Sequence, residues 1–323
     1  DWAAAAGYLR MAEFFMVPDT PECHAVYDRA REIFYTHFTY LFAEQGGPIH
    51  REEVPYEGGV LPCWRVLPDG ASKGTILFHG GNDSLLEEFT DALLYLAQGG
   101  YTVLAFEGPG QGAALRKSGL TFTPEWEKPV GAVLDHYGAE DVTIIGVSLG
   151  GELCMRAAAM EPRIRRVVSW SVLPSIYGAL MADKPAEIRA KLEHWLDENN
   201  RDAILDLYAG LAEREPLFRW SIQHSNYAYG TSDVYEYLQK ARAFTIEPVA
   251  ERITQDVLLL SAREDLLVDF GLYKQEIDLL KNTRSLEFAA PGRALNGQAH
   301  CNMGNTKYML DLILNWNDRM LER

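Results

Sequence analysis

A chain of 323 residues, 47% of them hydrophobic, has room for one large α/β domain with an inserted subdomain and a substantial core. Its 30 basic and 46 acidic residues leave a formal charge of −16, which excludes nucleic acid or an anionic membrane as the main partner. The longest apolar runs, such as Val257 to Leu260, are strand-sized rather than membrane-sized, no signal-peptide pattern is visible, and a cytoplasmic location is predicted.

Residues 1–50 read as a helical segment, with Tyr8, Met11, Phe14 and Phe15 as a core-facing stripe, a break from Pro18 to Glu22, and an aromatic-rich stretch from Ala25 to Phe42. Between His50 and Leu67 the alternation around Glu57-Gly58-Gly59 predicts a hairpin that opens a sheet. Gly74 to Phe78 reads as a buried strand ending in His79-Gly80-Gly81-Asn82, where small residues let backbone N–H groups face a ligand. The strand Thr102 to Phe106 runs into the turn Glu107-Gly108-Pro109-Gly110-Gln111-Gly112. Val142 to Ile145 is strand-like and Gly151 to Met160 helix-like, and between them stands Gly146-Val147-Ser148-Leu149-Gly150. A glycine-rich strand end is also an ordinary turn; strand, turn and helix in that order make it a nucleophile elbow that holds out the Ser148 hydroxyl. Strands alternate with helices as far as Arg166 to Trp170, the pattern of a doubly wound, mostly parallel sheet.

From Leu173 to Phe244 the alternation stops, and a helical stretch dense in aromatics, including Trp195, Tyr208, Trp220, Tyr227, Tyr229 and Tyr237, reads as a helical cap over residues 173–244. Most of these aromatics are expected to hold the cap together, with Trp220, His224 and Tyr227 facing substrate. The core, 51–172 and 245–323, resumes with the strand Asp256 to Ser261, followed by Ala262-Arg263-Glu264-Asp265. A last strand, Ser285 to Ala289, leads to the loop Gly297-Gln298-Ala299-His300-Cys301.

A serine hydroxyl is a weak nucleophile until a base takes its proton and donors receive the oxyanion. Hydrolases with this elbow order their triad as Ser, then Asp or Glu, then His, and only His300 comes late enough to be the base. Asp265, just past a strand end, is the preferred acid, with Glu264 and Asp269 as competitors. Gly81 N–H, with Asn82 as an alternative, and Leu149 N–H are the expected oxyanion donors, and His79 is read as structural. The four cysteines, Cys23, Cys63, Cys154 and Cys301, have no metal-ligand spacing and read as free thiols in a reducing compartment. Cys154 is expected in the core; for Cys301 a packing role and a chemical one both stay open.

His79-Gly80-Gly81, the Glu107 to Gly112 turn, the Gly146 to Gly150 elbow, and His300-Cys301 followed by Gly304-Asn305 together resemble the α/β-hydrolase superfamily. Within it the chain is similar to the branch of 2,6-dihydroxypseudooxynicotine hydrolase, the fungal polyketide-shortening hydrolases of melanin pathways, and the fermentation-respiration-switch-like esterases. The resemblance implies an α/β-hydrolase fold and cleavage of an ester or of a carbon–carbon bond beside a ketone in a small, partly aromatic compound. Glu107 stands where that branch commonly has Asp, and Glu152 where a small or apolar residue is usual. The expected partners are that carbonyl compound and water, with no nucleic acid, membrane, cofactor or metal, and with a homodimer left open. Two other classes compete: an acylaminoacyl-type peptidase or amidase, disfavoured because 323 residues hold no propeller gate, and a noncatalytic ligand-binding module, disfavoured because all three triad members are present.

Overall fold

The computed structural model describes residues 2–323. Two helices open the chain, α1 (Trp2–Phe14) and α2 (Pro21–His37). The second begins where the sequence breaks: the Thr20 side chain accepts the Cys23 N–H and Pro21 occupies the first turn, where its missing N–H costs nothing. The hairpin β1 (Ile49–Tyr56) and β2 (Gly59–Val66) follows. Its two-residue turn, Glu57-Gly58, has φ of 45° and 82°, the left-handed geometry that matches the twist of paired strands.

Strands and helices then alternate: β3 (Thr75–His79), α3 (Thr90–Gln98), β4 (Thr102–Phe106), α4 (Gly112–Arg116), α5 (Glu127–Tyr137), β5 (Val142–Val147), α6 (Gly150–Met160) and β6 (Ile164–Trp170). Five helices follow without a strand, α7 (Ile176–Ala182), α8 (Ala186–Asp197), α9 (Arg201–Arg214), α10 (Pro216–Tyr229) and α11 (Val234–Ala241). The sheet resumes with β7 (Asp256–Leu260), α12 (Leu272–Leu279), β8 (Ser285–Ala289) and α13 (Thr306–Leu321). All eight strands form one sheet in the order β1-β2-β4-β3-β5-β6-β7-β8, antiparallel in its first two pairings and parallel from β4 onward. Every residue of β5 and β7 is buried, as expected of parallel strands covered on both faces.

One face of the sheet packs Leu93, Leu96, Ile313 and Trp316 of α3 and α13. The other packs Val133 and Leu153 of α5 and α6, and that same core runs on into Leu196, Ile204, Tyr229 and Tyr237 of the five inserted helices. Many inserted aromatics are used within the insertion or against the core, as in the Tyr208–Phe218 stack and the Tyr229–Tyr237 and Tyr229–Phe244 edges.

The expected apolar stripe of α1 needs correcting. Tyr8, Met11 and Phe15 are exposed, and the one buried residue of α1 is Glu13. Its carboxylate accepts hydrogen bonds from Arg10 (2.7 Å) and from two nitrogens of Arg116 (3.1 and 2.6 Å). The helix is seated by a buried ion pair, which fixes its place because either charge left alone would be costly.

Two further acids lie deep in the fold. Glu152 on α6 and Glu276 on α12 are each 1% exposed; Glu152 Oε2 lacks a hydrogen-bond partner among the described residues, and at Glu276 the Leu173 amide opposes burial only weakly. Burial pushes both carboxyls up to about 8 from the ordinary 4.5, with Arg156 opposing and Glu276 reinforcing the shift at Glu152. Between those values the folded state holds more protons than the unfolded chain, so this contribution to stability falls as pH rises. Glu276→Gln should therefore melt near the wild-type temperature at about pH 5 and above it at about pH 8.5, the difference in stability at the higher pH being about a few kcal/mol at most. Melting curves of the two proteins that stay parallel across that range would contradict this.

Candidate active site

At the end of β5 the backbone turns so sharply that side chains are excluded. A Cβ on Gly146 would lie 1.9 Å from Gly150 O, one on Gly150 2.6 Å from Gly80 O, and one on Gly151 2.1 Å from Ser171 O. Ser148 itself sits at φ 61°, in the left-handed region that a non-glycine residue occupies only when its surroundings enforce it. Its N–H donates to Trp170 O at the end of neighbouring β6 (2.8 Å), so the turn is anchored to the sheet.

The Ser148 Oγ donates to His300 Nε2 at 2.9 Å, and His300 Nδ1–H donates to Asp265 Oδ2 at 2.7 Å. The other Asp265 oxygen accepts the N–H groups of Leu267 (2.8 Å) and Val268 (3.1 Å). Burial disfavours charge on Asp265, but the bond to His300, its positive charge and the two amides outweigh burial and hold the carboxyl below its usual range. At His300 burial likewise opposes protonation, and the Asp265 bond overrides it, so the imidazole is more basic than usual. The two competing acids point elsewhere: Glu264 is bound to Arg293 (2.6 Å), and Asp269 accepts the Gly271 N–H (2.7 Å) in its own turn.

Asn302 was not singled out from the sequence. Cys301 and Asn302 both lie at left-handed φ, 50° and 55°, just after His300. The fully buried Asn302 accepts from Trp170 Nε1 (3.2 Å) and donates to Ser261 O (3.0 Å) and Gly297 O (2.6 Å), pinning the histidine loop to β6 and β7. An asparagine in a loop is too common to be picked out unaided; only its tolerance of left-handed backbone hints at such a place. All four cysteines are free and buried, and Cys301 packs with its sulfur toward Trp170 O.

Beside the elbow runs the loop that follows β3. His79 is wholly buried, donating from Nδ1 to Gly80 O (3.0 Å) and accepting Trp126 Nε1–H at Nε2 (3.3 Å). Burial lowers its pKa to about 4, which keeps the ring neutral and structural. Gly81 presses on the serine, since a Cβ there would stand 2.7 Å from Ser148 Cβ. The expectation for its amide is corrected at the level of the atom: Gly81 N–H is spent on Ser84 Oγ (2.8 Å). Asn82 N–H and Leu149 N–H have no protein acceptor among the described residues; Leu149 directly follows Ser148, and Asn82 directly follows the Gly81 that presses on it.

Of the three expected substrate contacts, His224 alone reaches this loop, with Nε2 against Asp83 Oδ1. Trp220 is used at a seam between α10 and α1, donating to Phe14 O (2.7 Å) and packing on Phe14, Phe15 and His224. Tyr227 is half-buried and feels the charges of Arg116, Asp19 and Glu13. Trp220 therefore faces the N-terminal helices, whereas Tyr227 packs against the core shared with α5 and α6. Among the described residues, no group of three or more His, Cys, Asp or Glu side chains is arranged to hold a metal ion.

The sequence profile of the alpha/beta hydrolase fold matches residues 76–296. The chain belongs to the α/β-hydrolase family. This α/β hydrolase is 29% identical to "Hydrolase ORFZ" of Pyricularia oryzae, over 94% of the chain and 75% of the relative. It is 30% identical to "Hydrolase LUC6" of a Fusarium species, over 75% of the chain and 61% of the relative. Among solved structures, the 2,6-dihydroxy-pseudo-oxynicotine hydrolase superposes with a TM-score of 0.74 at 19% identity, over 99% of this chain and 80% of that one, a likeness of fold.

The geometry separates the candidate acids by experiment. Asp265→Asn should lower kcat by a factor on the order of 10,000, as expected when the imidazole is left in the wrong tautomer. Asp269→Asn should stay within about threefold of wild type, because its carboxylate only closes a turn. Steady-state rates in the reverse order would reassign the acid.

Proposed function

We propose that this hydrolase is a serine enzyme that cleaves an ester, or the carbon–carbon bond beside a ketone, in a small, partly aromatic carbonyl compound. The observation that carries this reading is the continuous chain of hydrogen bonds from Ser148 through His300 to Asp265, 2.9 and 2.7 Å long. His300 takes the Ser148 proton as Oγ attacks the carbonyl carbon, and Asp265 holds the tautomer and balances the imidazolium that forms. The oxyanion is received by Leu149 N–H and Asn82 N–H. The imidazolium then gives its proton to the leaving oxygen or carbon, and an acyl-enzyme remains. Water, deprotonated by His300, attacks that acyl group and returns the serine.

Fold likeness to an enzyme named for an oxynicotine compound supports a small ring-bearing substrate. The helices of residues 173–244 act as the cap, with His224 its contact to the oxyanion loop through Asp83. Four buried free thiols support a reducing, cytoplasmic setting.

A fluorophosphonate probe should label the wild-type protein at Ser148, and Ser148→Ala should abolish both labelling and turnover without lowering the melting temperature. An unlabelled wild-type protein, or a Ser148→Ala variant active within tenfold, would sink the serine mechanism. Recognition has its own test. His224→Ala should change the ratio of kcat/KM between a bulky aryl ester and p-nitrophenyl acetate by roughly 10- to 100-fold, while Trp220→Ala, at the α1 seam, should mainly lower the melting temperature. Equal losses on both esters for His224→Ala would place recognition elsewhere.

A further inference from the structure

The turn between β4 and α4 contains a residue that the hydrogen-bond chain of the triad does not use. Gln111 is 1% exposed, yet every polar atom of its side chain is engaged. Its Oε1 accepts the Gly108 N–H of its own turn (2.9 Å). Its Nε2 donates to two successive carbonyls of the loop after β3, Gly80 O and Gly81 O, each at 2.9 Å. A carboxamide nitrogen has two protons and both are consumed here. The opposite orientation of the amide would set oxygen against two carbonyls and an N–H group against another, so the contacts themselves fix which end is which.

The bond to Gly81 O bears on where the loop's open amide points. A peptide unit is planar and trans, so its C=O and N–H project in opposite directions. β3 lies between β4 and β5 in the sheet, and Gln111 approaches from the β4 side. The Gly81 carbonyl and the Asn82 N–H belong to one such peptide unit, so holding Gly81 O toward Gln111 sets the Asn82 N–H pointing away from Gln111. The amide of the preceding unit, Gly81 N–H, is taken by Ser84 Oγ, whereas Asn82 N–H is open. Gly80 and Gly81 have no side chains to resist rotation of these peptide planes. The Gly80–Gly81 unit is also held by His79 at its carbonyl and by Ser84 at its N–H; without Gln111 it is the Gly81–Asn82 unit that would be free to turn, and an oxyanion site is effective only if its dipoles are oriented before the reaction.

We propose that Gln111 is the positioning residue of the oxyanion site: its carboxamide holds the Gly80–Gly81–Asn82 backbone so that Asn82 N–H, with Leu149 N–H, faces the oxygen that becomes negative when Ser148 attacks. The proposal rests on Ser148 as the nucleophile. Gln111 does not touch the substrate; it acts through the loop.

The test compares wild type with Gln111→Met, which keeps the volume and removes the donors, and Gln111→Asn, which keeps the chemistry and is one methylene too short. Fluorophosphonate labelling of the wild type at Ser148 checks the underlying reading separately, and its failure would overturn both. With p-nitrophenyl acetate, each variant should lose on the order of 100-fold or more in kcat, the scale of one lost oxyanion donor, with KM within about threefold. The inhibition constant of an aryl trifluoromethyl ketone, whose serine adduct carries an oxyanion, should rise in parallel with the fall in kcat. The pH midpoint of kcat/KM should not move, because the His300–Asp265 pair is untouched. Variants that keep kcat within fivefold, or lose rate while binding the ketone as tightly as wild type, would show that Gln111 only packs its turn. Failure of both variants to fold would make it a folding residue and would equally overturn the proposal.

Discussion

Backbone touching backbone at the end of β5 is the contact on which the rest of the site is built. Gly146 can approach the Gly150 carbonyl only because it carries no Cβ. That approach is what bends the chain so abruptly that Ser148 is forced to a positive φ and out of the sheet. Parallel neighbours make the bend useful. β3 flanks β5 on one side and β6 on the other, so the β3 loop and the Trp170 carbonyl arrive at the serine from opposite directions. A ligand at the carboxyl ends of such strands meets groups from several loops held by one rigid sheet.

The loop after β3 is where the three parts of the molecule meet. Its far end, Asp83, touches His224 of α10 and accepts from Arg10 of α1 through its backbone carbonyl. Burial works against the Asp83 charge, yet the bond to His224 and its charge prevail and hold the carboxyl below its usual range. Helices added to the sheet at two distant points in the chain thus bear on one short loop. Movement of the inserted helices would be felt beside the serine without any contact to it.

The skeleton of the site was legible in the chain because it depends on short-range constraints. Gly146, Ser148 and Gly150 are contiguous, and strand-end carboxylate and late histidine follow from a fixed order of parts. Helices α7 to α11 announced themselves by the loss of strand-like alternation after Leu173. What sequence reasoning missed depends on which atom of a residue is already in use. Nothing in His79-Gly80-Gly81-Asn82 reveals that Ser84 takes the Gly81 amide. Trp220 lies in the right helix, but which way it faces was decided by α1, some two hundred residues upstream. In α1 itself the aromatic pattern misled in part: Phe14 and Phe15 do pack on Trp220, but Tyr8 and Met11 face solvent, and the residue buried there is a carboxylate held by two arginines.

That ion pair has a further implication for how the chain can be divided. Glu13 and Arg116 are joined across about a hundred positions, and each is nearly inaccessible to solvent. Cutting the protein so that it began at the hairpin would leave Arg116 facing a vacated groove with its countercharge removed, and would also release Glu87 from Arg31. The arginine would have to swing out to water, dragging at the short helix α4 that directly follows the Gln111 turn. The first two helices are therefore not a detachable ornament on a self-sufficient sheet. Recombining this sheet with the leading helices of another protein would require the acid and its basic partner to travel together.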